Sequence, residues 1–149
     1  MRKNTKVQNH LTEQTIMFAS ITKWILLSAI IGAVIGAIVS FFLKFLEYCE
    51  DSRSSLPFEY YYTLPFALAI TVILVKKFAP NAQGHGTEKV IESVHKKSGK
   101  MDFSIIPVKL LATVITIFSG GSVGKEGPGA QIGAASASFI ATMFKFSNR

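Results

Sequence analysis

Of the chain's 149 residues one is cysteine and three are histidine. A lone thiol, Cys49, cannot close an internal disulfide, so a disulfide scaffold and dithiol redox chemistry are both excluded, and a buried or lipid-facing thiol is its ordinary role. His10, His85 and His95 are scattered, with no histidine–carboxylate cluster and no metal-ligand spacing, which argues against an enzyme and against a bound metal. No cofactor is expected. Charge is scarce as well. Charged residues make up 17% of the chain and hydrophobic residues 49%, too apolar a balance for an ordinary soluble domain. Low-complexity segments and convincing internal repeats are lacking. The N-terminus is not of the cleavable-signal type, because its apolar run is too long and further apolar segments follow.

What the chain does have is a set of long stretches without a charge. Trp24 to Leu43 is uncharged, and about twenty helical residues cover about 30 Å, the thickness of a bilayer's hydrocarbon core. Tyr60 to Val75 is uncharged but shorter. Leu110 to Gly124 and Gly127 to Phe144 are two more such runs, separated only by Lys125 and Glu126. The first run reads as a membrane span and the second as another. The last two read as broken or re-entrant helices, which membranes tolerate where protein or a water-filled cavity covers their ends. The expected class is an all-α membrane protein.

The charges orient these segments. Arg2, Lys3, Lys6 and Lys23 precede the first span, and Lys76, Lys77, Lys89, Lys96, Lys97 and Lys100 follow the second. Between the spans, Lys44 and Arg53 face Glu47, Glu50, Asp51 and Glu59. The positive-inside rule then puts the N-terminus in the cytoplasm and the Glu47–Glu59 loop outside, with Tyr60, Tyr61 and Tyr62 as an interfacial belt. The net charge of +7 is thus mostly topological. A nucleic-acid partner is a poor reading, since the lysines are not interleaved with exposed aromatics on a polar domain.

The pattern suggests five helical pieces. Residues 1–13 form a polar cytoplasmic N-terminal segment, a short helix or a tail, and residues 14–149 a membrane domain. The first span, about Gln14 to Tyr48, carries Ser28, Gly32, Gly36 and Ser40 at four-residue intervals, a row that lets another helix backbone approach. Ala79-Pro80-Asn81 ends the second span. Thr87 is the expected N-cap of a short helix with Glu88 in its first turn and Lys96, Lys97 and Gly99 at its end. That helix suits a protein interior or the cytoplasmic rim better than lipid. Asp102 or Ser104 is placed to cap the next helix, with Pro107 in its first turn and Lys109 one turn in. Lys96–Lys100 reads as a solvated cytoplasmic face.

The most informative stretch is Gly120–Gly133. It sets a single carboxylate, Glu126, between Gly124-Lys125 and Gly127-Pro128 at the head of an apolar segment. Pro128 suits a first helical turn, where its missing N–H has no intrahelical partner anyway. Glycines leave backbone N–H groups approachable, and the helix start carries partial positive charge, so the segment is an anion site for which Glu126 itself competes. An ionisable group at membrane depth is a functional hypothesis by default; the plain alternative is a carboxylate that merely caps the helix. A nucleotide-binding loop fails on two positions, since Ser119 stands for the first glycine of G-x-x-x-x-G-K-[ST] and Glu126 for its hydroxyl residue, where it would repel phosphate.

Gly124-Lys125-Glu126-Gly127-Pro128 resembles the G-(K/R)-E-G-P signature of the CLC chloride channels and proton-coupled chloride antiporters. Pro107-Val108-Lys109 resembles that family's P-V-K, Gln131-Ile132-Gly133 its Q-I-G, and Gly84-His85-Gly86 stands where the family has G-S-G-I-P. From Trp24 to Met143 the order of segments follows the family's first membrane helices. The resemblance implies part of the CLC inverted-repeat fold, the first helices of its first half, in which separated helix N-termini converge on a dehydrated anion. Carried over by position, Glu126 is the gate and proton-responsive group. Gly84, His85, Gly86, Thr87, Gly124, Lys125, Gly127 and Pro128 are the anion-binding positions, with Lys125 a charge at the pathway mouth or a packing charge. Lys109 is a supporting cation or a residue snorkelling to the interface.

Two departures stand out. His85 replaces the family's serine and Thr87-Glu88 its Ile-Pro; the His85 ring would add a titratable hydrogen-bond donor, or it is a solvent-exposed loop residue. The resemblance also implies partners: chloride or a related anion, protons in the exchangers, the lipid bilayer, and a homodimer whose interface helices lie beyond the motifs present. The expectation is therefore a multi-pass plasma-membrane protein that moves chloride through a glutamate-gated pathway as an incomplete part of a channel or antiporter. The alternative is a membrane fragment with a structural role and no transport of its own.

Overall fold

The computed structural model describes residues 2–54 and 60–145. Every regular element among them is helical: α1 (Arg2–Ser54), α2 (Leu64–Phe78), α3 (Gly86–Lys96), α4 (Ile105–Phe118) and α5 (Glu126–Met143), with single 3₁₀ turns at Tyr60–Thr63 and Pro80–Ala82. The all-α reading holds. The helix runs unbroken from Arg2 into the apolar run, with no proline or glycine before that run begins. Glu59, part of the expected outer loop, lies outside the described residues.

The chain divides into two units, Met1–Val34 and Ile35–Arg149. In the first, Ile16, Phe18, Ile21, Trp24, Ile25 and Ile30 are all more than half exposed. Its hydroxyls turn inward on the helix: Thr22 Oγ1 donates to the Phe18 carbonyl at 2.9 Å and Ser28 Oγ to that of Trp24 at 2.7 Å. An apolar surface with internally satisfied hydroxyls is what hydrocarbon requires. Gln14–Arg53 is the one described helix long and apolar enough to cross a membrane. α2 has 15 residues, about 22 Å at the helical rise, so the second expected span is shorter than the bilayer core.

The second unit packs two buried clusters. Phe42 and Leu46 of α1 meet Ile117 of α4 and Ile132 of α5, and Ala79, Ala82, Ile105, Val108 and Ala135 form the other. Helix α5 thereby sits between them, and its small residues permit it: a Cβ added at Gly133 would lie 3.4 Å from Val39 and one at Gly129 would lie 3.8 Å from it. The small-residue row expected to pack is a different one. A Cβ at Gly32 or Gly36 of α1 would meet nothing within 4 Å.

Helix α4 stops earlier than the uncharged run Leu110–Gly124 suggests. Gly120 takes φ +88°, and the Gly120 and Gly121 N–H groups donate to the carbonyls of Ile117 and Thr116 at 3.0 and 2.9 Å. This is the Schellman arrangement, which needs a residue free to adopt the left-handed region. The Ile117 carbonyl also accepts from the Arg53 guanidinium at 2.8 Å. Residues 121–124 then run without regular structure to the head of α5.

Candidate functional site

Two helix starts meet at one point. At the head of α3 the chain turns through Gly84 (φ +81°) and the extended His85 before Gly86 begins the helix. At the head of α5, Glu126 is the first helical residue and Pro128 lies in the first turn. The two backbones touch: a Cβ on Gly86 would overlap the Gly127 carbonyl, and one on Gly127 would lie 3.5 Å from the Gly86 nitrogen. Only glycine at 86 allows this approach. Neither helix start is capped by a side chain. Thr87, expected as the N-cap, is the second helical residue instead, and His85 holds the cap position. The reason is steric, since the contact with α5 draws Gly86 into the helix. Ser104 occupies the cap position of α4 without bonding there, while the Asp102 carboxylate accepts from Asn81 Nδ2 at 2.7 Å.

Both bare helix starts open into one cavity of ≈ 690 Å³. Of the residues singled out in the sequence, Gly84, His85, Gly86, Thr87, Lys109, Gly124, Glu126, Gly127 and Pro128 all line it. His85, Thr87 and Glu126 are exposed, and Glu126 has no ion-pair or hydrogen-bond partner among the described residues. Backbone N–H groups at two helix starts, with partial positive charge on each, make the cavity wall attractive to an anion.

Lys109 reaches the cavity from the second turn of α4. Its ammonium donates to the carbonyls of Ala82 at 2.9 Å and Gly84 at 3.1 Å. It therefore pins the loop that leads into α3, as well as placing a cation in the wall. Neither simple snorkelling nor a purely electrostatic role describes it.

Lys125 is the sequence-predicted residue that the structure does not bring to the cavity. Its ammonium donates to Glu50 at 2.7 Å, and Glu47 and Asp51 add to the same negative field. The acidic end of α1 attracts the lysine away from the cavity. Sequence spacing had no means of showing a partner 75 residues away.

Other wall residues were not singled out. Thr113 and Thr116 continue the face of Lys109 at helical spacing, a signal that was present in the sequence. Their hydroxyls donate to their own helix, to the Lys109 and Ala112 carbonyls at 2.8 Å each, so those protons are not offered to an anion. Gln131 is fully buried beside the site. Its Nε2 donates to the Asn81 carbonyl at 3.0 Å and its Oε1 has no partner. Among the described residues no three histidines, cysteines or carboxylates gather as metal ligands.

Known proteins are similar to this sequence. A "Chloride/fluoride channel protein" of Pseudomonas syringae is 26% identical over 136 residues, covering 89% of this chain and 29% of that protein. A "Probable chloride channel protein" of Mycosarcoma maydis is 36% identical over 78 residues, 51% of this chain and 7% of that one. An "H(+)/Cl(-) exchange transporter ClcA" of Vibrio campbellii is 26% identical over 132 residues, 81% of this chain and 28% of that one. The chain thus spans less than a third of the length of these relatives. No solved structure matches. The family model described as "Voltage gated chloride channel" matches residues 66–149, more than half of the sequence, and the chain belongs to that family.

Proposed function

We propose that this chain supplies the outer, glutamate-gated part of an anion pathway in a multi-pass membrane protein. The observation that carries the reading is the pair of uncapped helix starts that touch at Gly86 and Gly127 and share a cavity with Glu126 at its edge. Partial charges on N–H groups attract an anion without binding it so firmly that it cannot leave. Glu126 competes for the same positive potential when ionised and yields when protonated or displaced. Chloride is the first substrate to test and fluoride the second, because a relative named for both ions covers most of this chain.

The test is a chimera. Residues 24–143 replace the matching segment of the Pseudomonas syringae relative, and halide flux is measured in liposomes with and without a proton gradient. The expected result is flux whose pH dependence is flattened by Glu126→Gln. Unchanged flux and pH dependence in that variant would sink the gate. The 149-residue chain alone, run in parallel, tests the alternative of a fragment without transport.

The same reading places the N-terminus in the cytoplasm and the acidic end of α1 outside, in the plasma membrane. Cys49, the sole cysteine and partly exposed, gives a direct readout. A membrane-impermeant maleimide added to intact cells is expected to label it. Labelling that requires permeabilised cells would reverse the topology.

A further inference from the structure

The opposite ends of α3 and α5 form a second site. The loop after α3 folds against α5, where the Met101 N–H donates to Ser138 Oγ at 2.9 Å. A cavity of ≈ 320 Å³ opens there, with Ser98, Lys100, Ser138, Thr142 and Lys145 in a wall that contains no carboxylate. An adjoining cavity of ≈ 380 Å³ shares Lys100, Ser138 and Thr142 and adds Lys89 and Lys97. Its two carboxylates are engaged. Glu92 accepts from Lys89 at 2.9 Å and Lys96 at 3.4 Å, and Asp102 accepts from Asn81. Lys97, Lys100 and Lys145 have no carboxylate partner among the described residues. Next along the chain from these polar groups are large exposed apolar ones. The rings of Phe103 and Phe139 pack with centroids 4.7 Å apart while remaining 56% and 44% exposed, and Met143 and Phe144 are more than half exposed.

Lysines without a carboxylate partner beside an exposed aromatic pair match a ligand with an anionic head and an apolar tail, while the Ser138 and Thr142 hydroxyls donate to the Met101 and Ser138 carbonyls at 3.5 and 2.9 Å. We propose that this end of α3 and α5 binds an anionic phospholipid, its phosphate between Lys100 and Lys145 and an acyl chain against Phe103 and Phe139. Basic pockets between membrane helices hold such headgroups on the cytoplasmic side, the side to which the charge distribution assigns these lysines. The proposal rests on the membrane reading and on no part of the anion pathway. The competing account is that the lysines only balance the negative ends of two helices. That account predicts a loss of stability on their removal and no choice among lipids.

The 149-residue chain is purified in neutral detergent and titrated with phosphatidylglycerol, with phosphatidylcholine and with inorganic phosphate, binding being read by native mass spectrometry. Phosphatidylglycerol is expected to bind at least about tenfold more tightly than phosphatidylcholine. The Lys100→Gln/Lys145→Gln variant is expected to lose roughly thirtyfold, at about fivefold for each lysine near an anionic headgroup. Ser98→Asp keeps both lysines and sets a carboxylate in the cavity wall they share, in an exposed turn, so it reports even if the double variant fails to fold; it too is expected to weaken phosphatidylglycerol at least about fivefold. Equal affinity for the two lipids would overturn the proposal. So would an equal loss in Lys76→Gln/Lys77→Gln, which marks diffuse surface charge. Saturation by inorganic phosphate alone would assign the site to a soluble anion instead.

Discussion

Helices α3 and α5 are treated oppositely at their two ends. At the start, each helix leaves its first-turn N–H groups without a side-chain cap, and the backbones press together through two glycines. At the finish, lysines gather near the helix ends and two adjoining cavities open beside them. The same peptide dipoles are present in both places. One end leaves the positive pole open to the cavity; the other carries Lys96, Lys97, Lys100 and Lys145 at or just beyond the helix ends. The contrast teaches that the open pole is a product of local sequence, in which His85 and Lys125 stand where serine, threonine or aspartate would ordinarily cap.

The largest expected effect comes from breaking the glycine contact. Gly86→Ala drives a Cβ into the Gly127 carbonyl and is expected to destabilise the protein by about 1–3 kcal/mol, the range for overpacking. Thermal unfolding in detergent measures it. Gly36→Ala, in open space, is expected to be neutral or stabilising by up to about 1 kcal/mol through helix propensity. Equal losses in the two variants would remove the steric account.

Lys109→Met comes next. It deletes two charge-assisted bonds to the Ala82 and Gly84 carbonyls and is expected to cost about 1–3 kcal/mol. Faster hydrogen exchange across residues 83–88 than across α5 would locate the effect in the loop. Uniform exchange would show that the lysine does not pin it.

The smallest effect belongs to the lysine-rich end. Hydrogen bonds and charge from Lys89, with Lys96 adding to them, hold the exposed Glu92 carboxyl below its ordinary range. A folded-state value lowered in this way adds stability that is complete above the unfolded value. That stability is lost as pH falls through the lowered folded one. Glu92→Gln should therefore lower the melting temperature slightly at neutral pH and flatten the acid limb of the profile, the two proteins converging at low pH. A difference that persists at low pH would mean the side chain acts through packing rather than charge.

How far the sequence could be read depended on whether a feature was local. Glycine, proline and a single carboxylate at 124–128 announce a helix start whatever surrounds them, and residues 84–87 do so again; both lie on the cavity wall. The long uncharged run in α1 was equally plain. Features decided by distant partners were not. Lys125 turns toward Glu50 because α1 brings its acidic end near, and nothing adjacent to Lys125 signals that. Thr87 has the chemistry of a cap, yet tertiary contact at Gly86 moves the helix start one residue ahead of it. The row of small residues on α1 is as regular as Gly129 and Gly133 on α5, but periodicity does not say which row finds a neighbour.

The touching glycines have a mechanical consequence. With backbone against backbone and no side chain between, the starts of α3 and α5 behave as one rigid body, and neither can tilt without carrying the other. Any movement in the cavity wall at Glu126 is therefore confined to side-chain rotation and to the irregular segment 121–124. The first-turn N–H groups of both helices accordingly keep one fixed relation to each other.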